Sequence, residues 1–193
     1  MRYSETHKQE TRDRVLAVAA RALRTKGPER LGVAEVMAEA GLTHGGFYAH
    51  FKSKDDLLAA AVEEAFKDGR ALWMAATEDY PGIEGLARYI DFYVSGQHRD
   101  RLDTGCPVAA LNADFARVPS AAGDTFRANV ARLLGVIADR LPGEDAQART
   151  AEAGAIFGEM MGAVLVARAI PDRETSNRLL AAARDNLKAR IGA

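Results

Sequence analysis

Cysteine and histidine are scarce in this sequence. The 193 residues include one cysteine, Cys106, and four histidines. A single cysteine cannot form an intrachain disulfide, and scattered histidines do not give the ligand spacing of a zinc site. We therefore expect neither a disulfide nor a structural metal, and no cofactor is predicted.

Long apolar runs are also missing. No run approaches the roughly 20 apolar residues that cross a bilayer, and the polar start, MRYSETHKQETRDR, lacks the apolar core of a signal peptide. We expect a cytoplasmic protein without a membrane partner. The hydrophobic fraction of 48% and the charged fraction of 27% are ordinary for a globular protein, which argues against disorder.

A strong charge of either sign is absent too. The formal net charge is −1, which argues against a protein that coats nucleic acid non-specifically. Residues 1–60 nevertheless hold ten Lys/Arg against eight Asp/Glu, whereas residues 61–193 hold sixteen against nineteen. This slight asymmetry fits a DNA-binding head on a more acidic body.

Helical periodicity is present along the whole chain, and no alternating stretch demands a strand. The sequence predicts an all-α protein of about nine helices, with a loose arm over residues 1–6 and a polar loop over 97–104. The predicted helices cover residues 6–26, 33–40, 43–50, 53–77, 83–96, 107–118, 121–141, 144–170 and 172–191.

The segment VAEVMAEAGLTHGGFYAHF, residues 33–51, carries two short helical patterns around a glycine. The first places apolar residues on one face, and Gly41 suits the positive φ that follows a helix, with Leu42 as a buried anchor. Thr43 offers an N-cap to the second helix, in which Phe47 and Phe51 share the core side. This is a helix-turn-helix arrangement, whose second helix enters the major groove of DNA.

Two adjacent glycines inside the second helix, Gly45 and Gly46, should cost about 1 kcal/mol each relative to alanine. Glycine makes sense there if another surface must approach the backbone closely. Thr43, Tyr48 and Lys54 are residue types that hold phosphates, and His44 can reach base edges. The predicted DNA-contact set is Thr43, His44, Gly45, Gly46, Tyr48, His50 and Lys54.

The ordered spacing of these residues resembles the DNA-binding region of the TetR/AcrR family of bacterial transcriptional repressors. The residues that carry the resemblance are Gly27, Val33, Val36, Ala40-Gly41-Leu42, Thr43-His44-Gly45-Gly46-Phe47-Tyr48, His50-Phe51, Ser53-Lys54 and Leu57. Gly32 and Met37 depart from the family pattern without removing the motif. The resemblance implies a three-helix DNA-binding domain over residues 1–54, a linking helix over about 53–77, and a ligand-binding and dimerisation domain over 55–193.

The resemblance also implies a homodimer built through the last two helices. Gly154, Gly158 and Gly162 follow each other at intervals of four, which forms a smooth strip that lets another helix come close. The predicted dimer residues are Gly154, Gly158, Met161, Gly162, Leu165, Leu180, Ala183 and Leu187. Packing within one subunit is the alternative for all of them.

An inducer pocket in the body is a further implication of the resemblance. Apolar side chains with a few polar tips suit a small hydrophobic or aromatic compound. The candidate lining is Trp73, Tyr89, Phe92, Tyr93, Cys106, Phe115, Phe126, Phe157 and Met160. Each of these side chains has plain core packing as its alternative.

The resulting prediction is a repressor that binds a palindromic double-stranded operator as a homodimer and is released by a small-molecule inducer. One alternative is a helical ligand-binding or scaffold protein that has lost specific DNA binding. Another is a thiol-based sensor of electrophiles or oxidants acting through Cys106, which stands at a predicted helix start with Arg99 and Arg101 near in sequence. Enzymatic activity is not expected, because no catalytic triad order, phosphate-binding glycine loop or metal spacing is present.

Overall fold

The computed structural model describes the backbone of residues 2–115 and 119–193 and the side chains from Glu5 onward. These residues form nine α-helices and one 3-10 helix and contain no strand, which confirms the all-α prediction. The helices are α1 (Arg2–Arg30), α2 (Val33–Glu39), the 3-10 helix (His44–Ala49), α3 (Lys54–Thr77), α4 (Gly82–Tyr93), α5 (Gly96–Asp100), α6 (Pro107–Phe115), α7 (Ala121–Ala138), α8 (Ala146–Ala169) and α9 (Arg173–Ile191).

The first helix differs from its prediction at both ends. It begins at Arg2, so the expected loose arm over residues 1–6 is wrong from residue 2 onward. Gly27 interrupts it with φ 76° and ψ 169°, as the Gly27-Pro28 signal predicted, and a short helical piece continues to Arg30. A positive φ favours glycine at this kink because it has no Cβ.

The expected loop over residues 97–104 is only partly a loop. Its first residues belong to α5, because the Ser95 hydroxyl accepts a hydrogen bond from the backbone N–H of His98 and caps that helix. The preceding helix, α4, ends at Tyr93 and not near residue 96. The predicted end of α6 at Val118 lies outside the described residues.

The helices pack into two compact units. Unit 1 contains residues 1–69 and 106–129, and unit 2 contains residues 70–105 and 130–193. This grouping differs from the predicted boundary at residue 54, because α6 packs against α1 within unit 1. The division into a DNA-binding and a ligand-binding domain stays a prediction.

Among the described residues, the core of unit 1 is mostly apolar and contains the buried cation Arg24. Leu23, Met37, Phe51 and Leu57 are essentially inaccessible to solvent. The buried guanidinium of Arg24 donates from Nη2 to the Ala65 carbonyl at 2.7 Å and to Asp68 at 2.9 Å. A buried charge needs such partners, and these bonds hold α1 against α3.

In unit 2, α8 and α9 pack against each other, and both contact α4. By length and composition α8 could cross a bilayer, although charged residues interrupt its apolar stretches; a third of its most apolar stretch is buried. One such helix is weak evidence for a membrane span. When a helix has an apolar face that its own chain does not cover, packing of another apolar surface against that face stabilises it.

Candidate nucleic-acid interface

The turn between α2 and the 3-10 helix has the geometry that its glycine predicts. Gly41 adopts φ 75°. Its N–H donates to the Ala38 carbonyl at 3.0 Å, and the Leu42 N–H donates to the Met37 carbonyl at 2.9 Å. This pair of hydrogen bonds forms a Schellman motif, which ends α2 sharply. Leu42 is only half-buried, so its predicted role as a buried anchor is wrong.

The segment after the turn is anchored by two aromatic side chains. Phe47 and Phe51 are buried, as predicted, and their rings stack with centroids 5.6 Å apart. The segment is a 3-10 helix, in which side chains three residues apart share a face. The Thr43 side chain makes no capping hydrogen bond, so the predicted hydroxyl cap is wrong, and the residue is exposed.

Four residues of the predicted DNA-contact set form an exposed face: Thr43, His44, Gly45 and Tyr48. Tyr48 is 73% exposed, which is unusual for an aromatic side chain. A Cβ added to Gly45 would meet no atom within 4 Å, so packing in this chain does not require a glycine there. Gly46 is half-buried, and its added Cβ would touch Met37.

His50 is less exposed to solvent than the sequence predicted. The side chain is half-buried, and its Nδ1 is buried without a hydrogen-bond partner among the described residues. Burial lowers the pKa of His50, and the positive charges of Lys8 and Arg12 lower it further. The ring is therefore neutral near pH 7. Its own carbonyl accepts a hydrogen bond from the Arg12 guanidinium.

The start of α3 is capped as predicted. The Ser53 hydroxyl accepts from the Asp56 N–H at 3.1 Å, and the Asp56 carboxylate accepts from the Lys52 N–H at 2.9 Å. Lys54 is exposed, and its Nζ donates to the Glu29 carbonyl at 3.2 Å near the end of α1. Lys54 thus ties α3 to α1 while remaining accessible to a phosphate.

Sequence reasoning missed two cations of α1. Lys8 and Arg12 are four residues apart on one helix face, and both act on His50. The i, i+4 spacing in a helical pattern was the available signal. Their proximity to residue 50 depends on how α1 packs, which the spacing does not reveal.

The predicted ligand residues fall into two groups. Trp73, Tyr89, Phe92, Tyr93, Phe157 and Met160 belong to unit 2, whereas Cys106, Phe115 and Phe126 belong to unit 1. In unit 2 the rings of Trp73 and Tyr89 lie 4.6 Å apart, and Tyr93 contacts both Tyr89 and Phe157 at 5.8 Å. In unit 1, Phe126 contacts both Phe66 and Phe115.

Most of these side chains are buried, and Phe92 and Cys106 are half-buried. Their role in ligand binding stays a prediction. A cavity of about 430 Å³ lies elsewhere in unit 2. Its lining is Ile83, Leu141, Pro142, Gly143, Glu144, Asp145, Ala148, Arg149, Glu152, Arg190 and Ile191. None of the predicted ligand residues lines it.

The predicted dimer residues also divide. Leu180 and Leu187 are fully buried within the single chain, so the structure places these two in the core and not on a surface. Gly154, Met161, Gly162, Leu165, Ala183 and Gly158 are partly or fully exposed. A Cβ added to any of the three glycines would meet nothing within 4 Å.

Cys106 stands at the start of α6, as predicted, where its carbonyl accepts from the Ala110 N–H at 3.3 Å. Its side chain is half-buried. The guanidinium of Arg99 is buried and bonded to Asp100, Ser176 and Asn177. The reactivity of Cys106 stays a prediction.

Comparisons with known proteins agree with this geometry. The family model for bacterial regulatory proteins of the tetR family matches residues 15–61. The HTH-type transcriptional regulator AcrR of Shigella flexneri is 32% identical over 81 residues, which are 42% of this chain and 38% of AcrR. The uncharacterized HTH-type transcriptional regulator YfiR of Bacillus subtilis is 26% identical over 105 residues, which are 54% of this chain and 51% of YfiR. The matches thus span about half of these relatives or less.

Solved structures extend the likeness to the whole chain. A TetR transcriptional regulator from Chloroflexus aurantiacus superposes with a TM-score of 0.80 at 26% identity and covers 100% of this chain and 97% of that protein. A TetR-family regulator from Agrobacterium tumefaciens superposes with a TM-score of 0.76 at 21% identity, with coverage of 95% and 98%.

A helix-turn-helix segment with an exposed second helix, joined to a larger helical body, defines the class of helix-turn-helix transcriptional regulators. Within that class, residues 15–61 match the bacterial tetR family, and the whole chain shares its fold with a TetR transcriptional regulator. These relatives are regulators and not enzymes, which confirms the prediction that the chain is not an enzyme.

Proposed function

We propose that this protein is a cytoplasmic transcriptional repressor that binds a palindromic DNA operator as a homodimer and is released by a small-molecule inducer. The observation that carries the DNA-binding part is the exposed face of the 3-10 helix. Its most exposed aromatic, Tyr48, and its open glycine, Gly45, have no packing reason to be there. Contact with a DNA backbone supplies one.

A mobility shift with DNA from upstream of its own gene tests this part. Tyr48→Ala should weaken binding to every sequence, since a phosphate contact carries no sequence information, whereas His44→Ala should also change the preference among sites. Met74→Ala is a matched control, because Met74 is also an exposed large side chain but lies in unit 2. Wild-type protein that binds no duplex would favour the scaffold alternative.

The homodimer is supported by the surface of α8. Three glycines without neighbours form an open strip, and Leu165 and Val166 are 39% and 51% exposed. An apolar helix face of this kind is stabilised when a second helix covers it. A dimer would present two recognition helices to half-sites about 34–36 Å apart or a multiple of that distance.

Sedimentation of Gly158→Leu tests the dimer. In the single chain the added side chain has room, so the fold should persist. In a close helix contact it would overfill the interface at a cost of about 1–3 kcal/mol. Gly135→Leu, at an open position on α7 of unit 2, controls for a bulky substitution in a helix. An intact Gly158→Leu dimer would place the interface elsewhere.

The ligand part is supported by the aromatic cluster of unit 2, because Trp73, Tyr89 and Tyr93 combine apolar rings with polar tips. Thermal-shift screening of small aromatic and hydrophobic compounds tests it. A hit should bind more weakly to Tyr89→Ala and should lower DNA affinity, since a ligand that releases DNA must bind the DNA-free form better. A hit with equal effect on Tyr89→Ala would move the site away from this cluster.

A further inference from the structure

We propose that Lys8, Arg12 and His50 form a second phosphate-binding site in unit 1, next to the exposed face of the 3-10 helix, and that the site holds a backbone phosphate of duplex DNA. The inference rests on the proposed DNA binding and adds contacts from α1 to it. His50 follows the 3-10 helix directly, and Tyr48 is two residues before it. The two groups of contacts are therefore close along the chain.

Arg12 holds the site in place. Its guanidinium donates to the His50 carbonyl and lies 4.3 Å from the centroid of the buried Phe51 ring. A guanidinium stacked on an aromatic ring keeps its other N–H groups free to bind a phosphate oxygen, and it loses little conformational freedom when it does so. Arg12 is only half-buried, so those groups are accessible to a ligand.

Lys8 lies one helical turn before Arg12 on the same face of α1. It is exposed and close enough to His50 for its charge to act on the ring. The lysines differ in their partners. Among the described residues, Lys26, Lys54, Lys67 and Lys188 each bond to a carboxylate or a carbonyl.

Lys8 and Lys52 are different, because their ammonium groups make no ion pair or hydrogen bond within the described part of the chain. Both belong to unit 1; Lys52 follows the 3-10 helix by three residues, and the charge of Lys8 acts on His50. A surface that leaves its cations unpaired near one segment is complementary to an anion at that segment.

His50 contributes a neutral donor. Because its Nδ1 is buried without an acceptor among the described residues, we assign the proton of the neutral ring to Nε2, which is left to donate to a ligand. A neutral imidazole close to the charges of Lys8 and Arg12 avoids the repulsion that a third cation would add. The arrangement thus combines two charges and one neutral N–H, which suits a singly charged phosphate diester.

Salt dependence of binding to a mixed-sequence duplex tests the site with the full-length protein. Each ionic phosphate contact contributes about 0.9 to the slope of log affinity against log salt. Lys8→Gln should therefore lower the slope by about 0.9. Lys67→Gln makes the same charge change at another exposed lysine of unit 1, paired with Glu64, and should leave the slope unchanged.

His50→Leu should act differently from Lys8→Gln. Loss of a neutral donor should weaken binding about fivefold at every salt concentration without changing the slope, since no counterion is involved. Thermal unfolding of each variant shows whether the fold is kept, and Lys8→Gln is expected to keep it because the side chain has no partner to lose.

Equal slopes for Lys8→Gln and wild type, or an equal fall for Lys67→Gln, would overturn the site while leaving the proposed function standing. Unchanged affinity of His50→Leu would also overturn it. Wild-type protein that binds no duplex at low salt would be a failure of the proposed function itself.

Discussion

Tyrosine occurs in two opposite environments in this molecule. In unit 1, Tyr48 is 73% exposed on a 3-10 helix, and its ring makes a T-shaped contact with Phe47 at a centroid distance of 5.2 Å. In unit 2, Tyr93 is 2% exposed and its ring contacts Tyr89, His98 and Phe157. A residue whose removal costs the fold little is free to serve binding. A residue enclosed by other rings is required by the fold, whatever else it does.

The largest expected effect is a difference in stability between a substitution in the buried ring cluster of unit 2 and one at the exposed Tyr48. Phe157→Ala should lower the free energy of unfolding by about 3–5 kcal/mol, because it opens a cavity beside Tyr93. Tyr48→Ala should change it by about 0.5 kcal/mol or less, since an exposed side chain loses few contacts. Denaturant unfolding measures both values. Similar losses for the two variants would contradict the assigned environments.

A second prediction concerns the buried histidine of unit 2, His98, and the pH dependence of the free energy of unfolding that it causes. His98 donates from Nδ1 to the Tyr93 carbonyl at 2.7 Å and lies against Gly105. Burial lowers the pKa of His98, and the charge of Arg168 adds to this. The nearby groups of its own segment are Arg99 and Asp100, which form an ion pair.

Because the folded-state pKa of His98 is below its ordinary value of 6.5, the unfolded chain takes up the proton first as pH falls. The free energy of unfolding should therefore decrease below about pH 6.5, by up to about 1.4 kcal/mol per pH unit, until the folded-state pKa is reached. Chemical unfolding of wild type and His98→Gln between pH 7 and 5 measures the difference. The same pH dependence in both proteins would assign the effect to another group.

Local patterns predicted what local chemistry decides. Gly41 in the left-handed region, Phe47 and Phe51 in the core and the Ser53 cap all follow from neighbours within a few residues. The α5 helix was missed because its signal is a single capping serine, Ser95, ahead of a short polar stretch.

Side chains whose environment depends on distant residues were not predictable. The sequence places His50 on the outer side of its helix, whereas its Nδ1 is buried in the structure. This burial comes from packing that the sequence does not show. Leu180 and Leu187 were assigned to a dimer surface because helical spacing identifies an apolar face but not its partner. The partners of the buried guanidinium of Arg24 lie more than 40 residues away in sequence.

A smaller effect is expected from alanine substitutions at two glycines, which should change stability alike but DNA binding differently. Neither Gly45 nor Gly135 has an atom within 4 Å of an added Cβ. Alanine at either position should raise the free energy of unfolding by up to about 1 kcal/mol, through reduced flexibility of the unfolded chain. Only Gly45→Ala should weaken DNA binding, because the methyl group occupies the surface that DNA approaches. Equal DNA affinity for the two variants would remove the binding role of Gly45.

The smallest expected effect concerns Cys106. A thiol is activated by nearby positive charge, and the start of α6 supplies the partial positive charge of a helix end. The guanidinium of Arg99 is bonded to Asp100, Ser176 and Asn177, so it is not available to stabilise a thiolate. Treatment with a thiol-specific electrophile, followed by a DNA-binding assay, should release DNA equally from wild type and Cys106→Ser or from neither. Release from wild type alone would instead make Cys106 the sensor, and the inducer would then act by covalent modification in unit 1 and not by reversible binding to the aromatic cluster of unit 2.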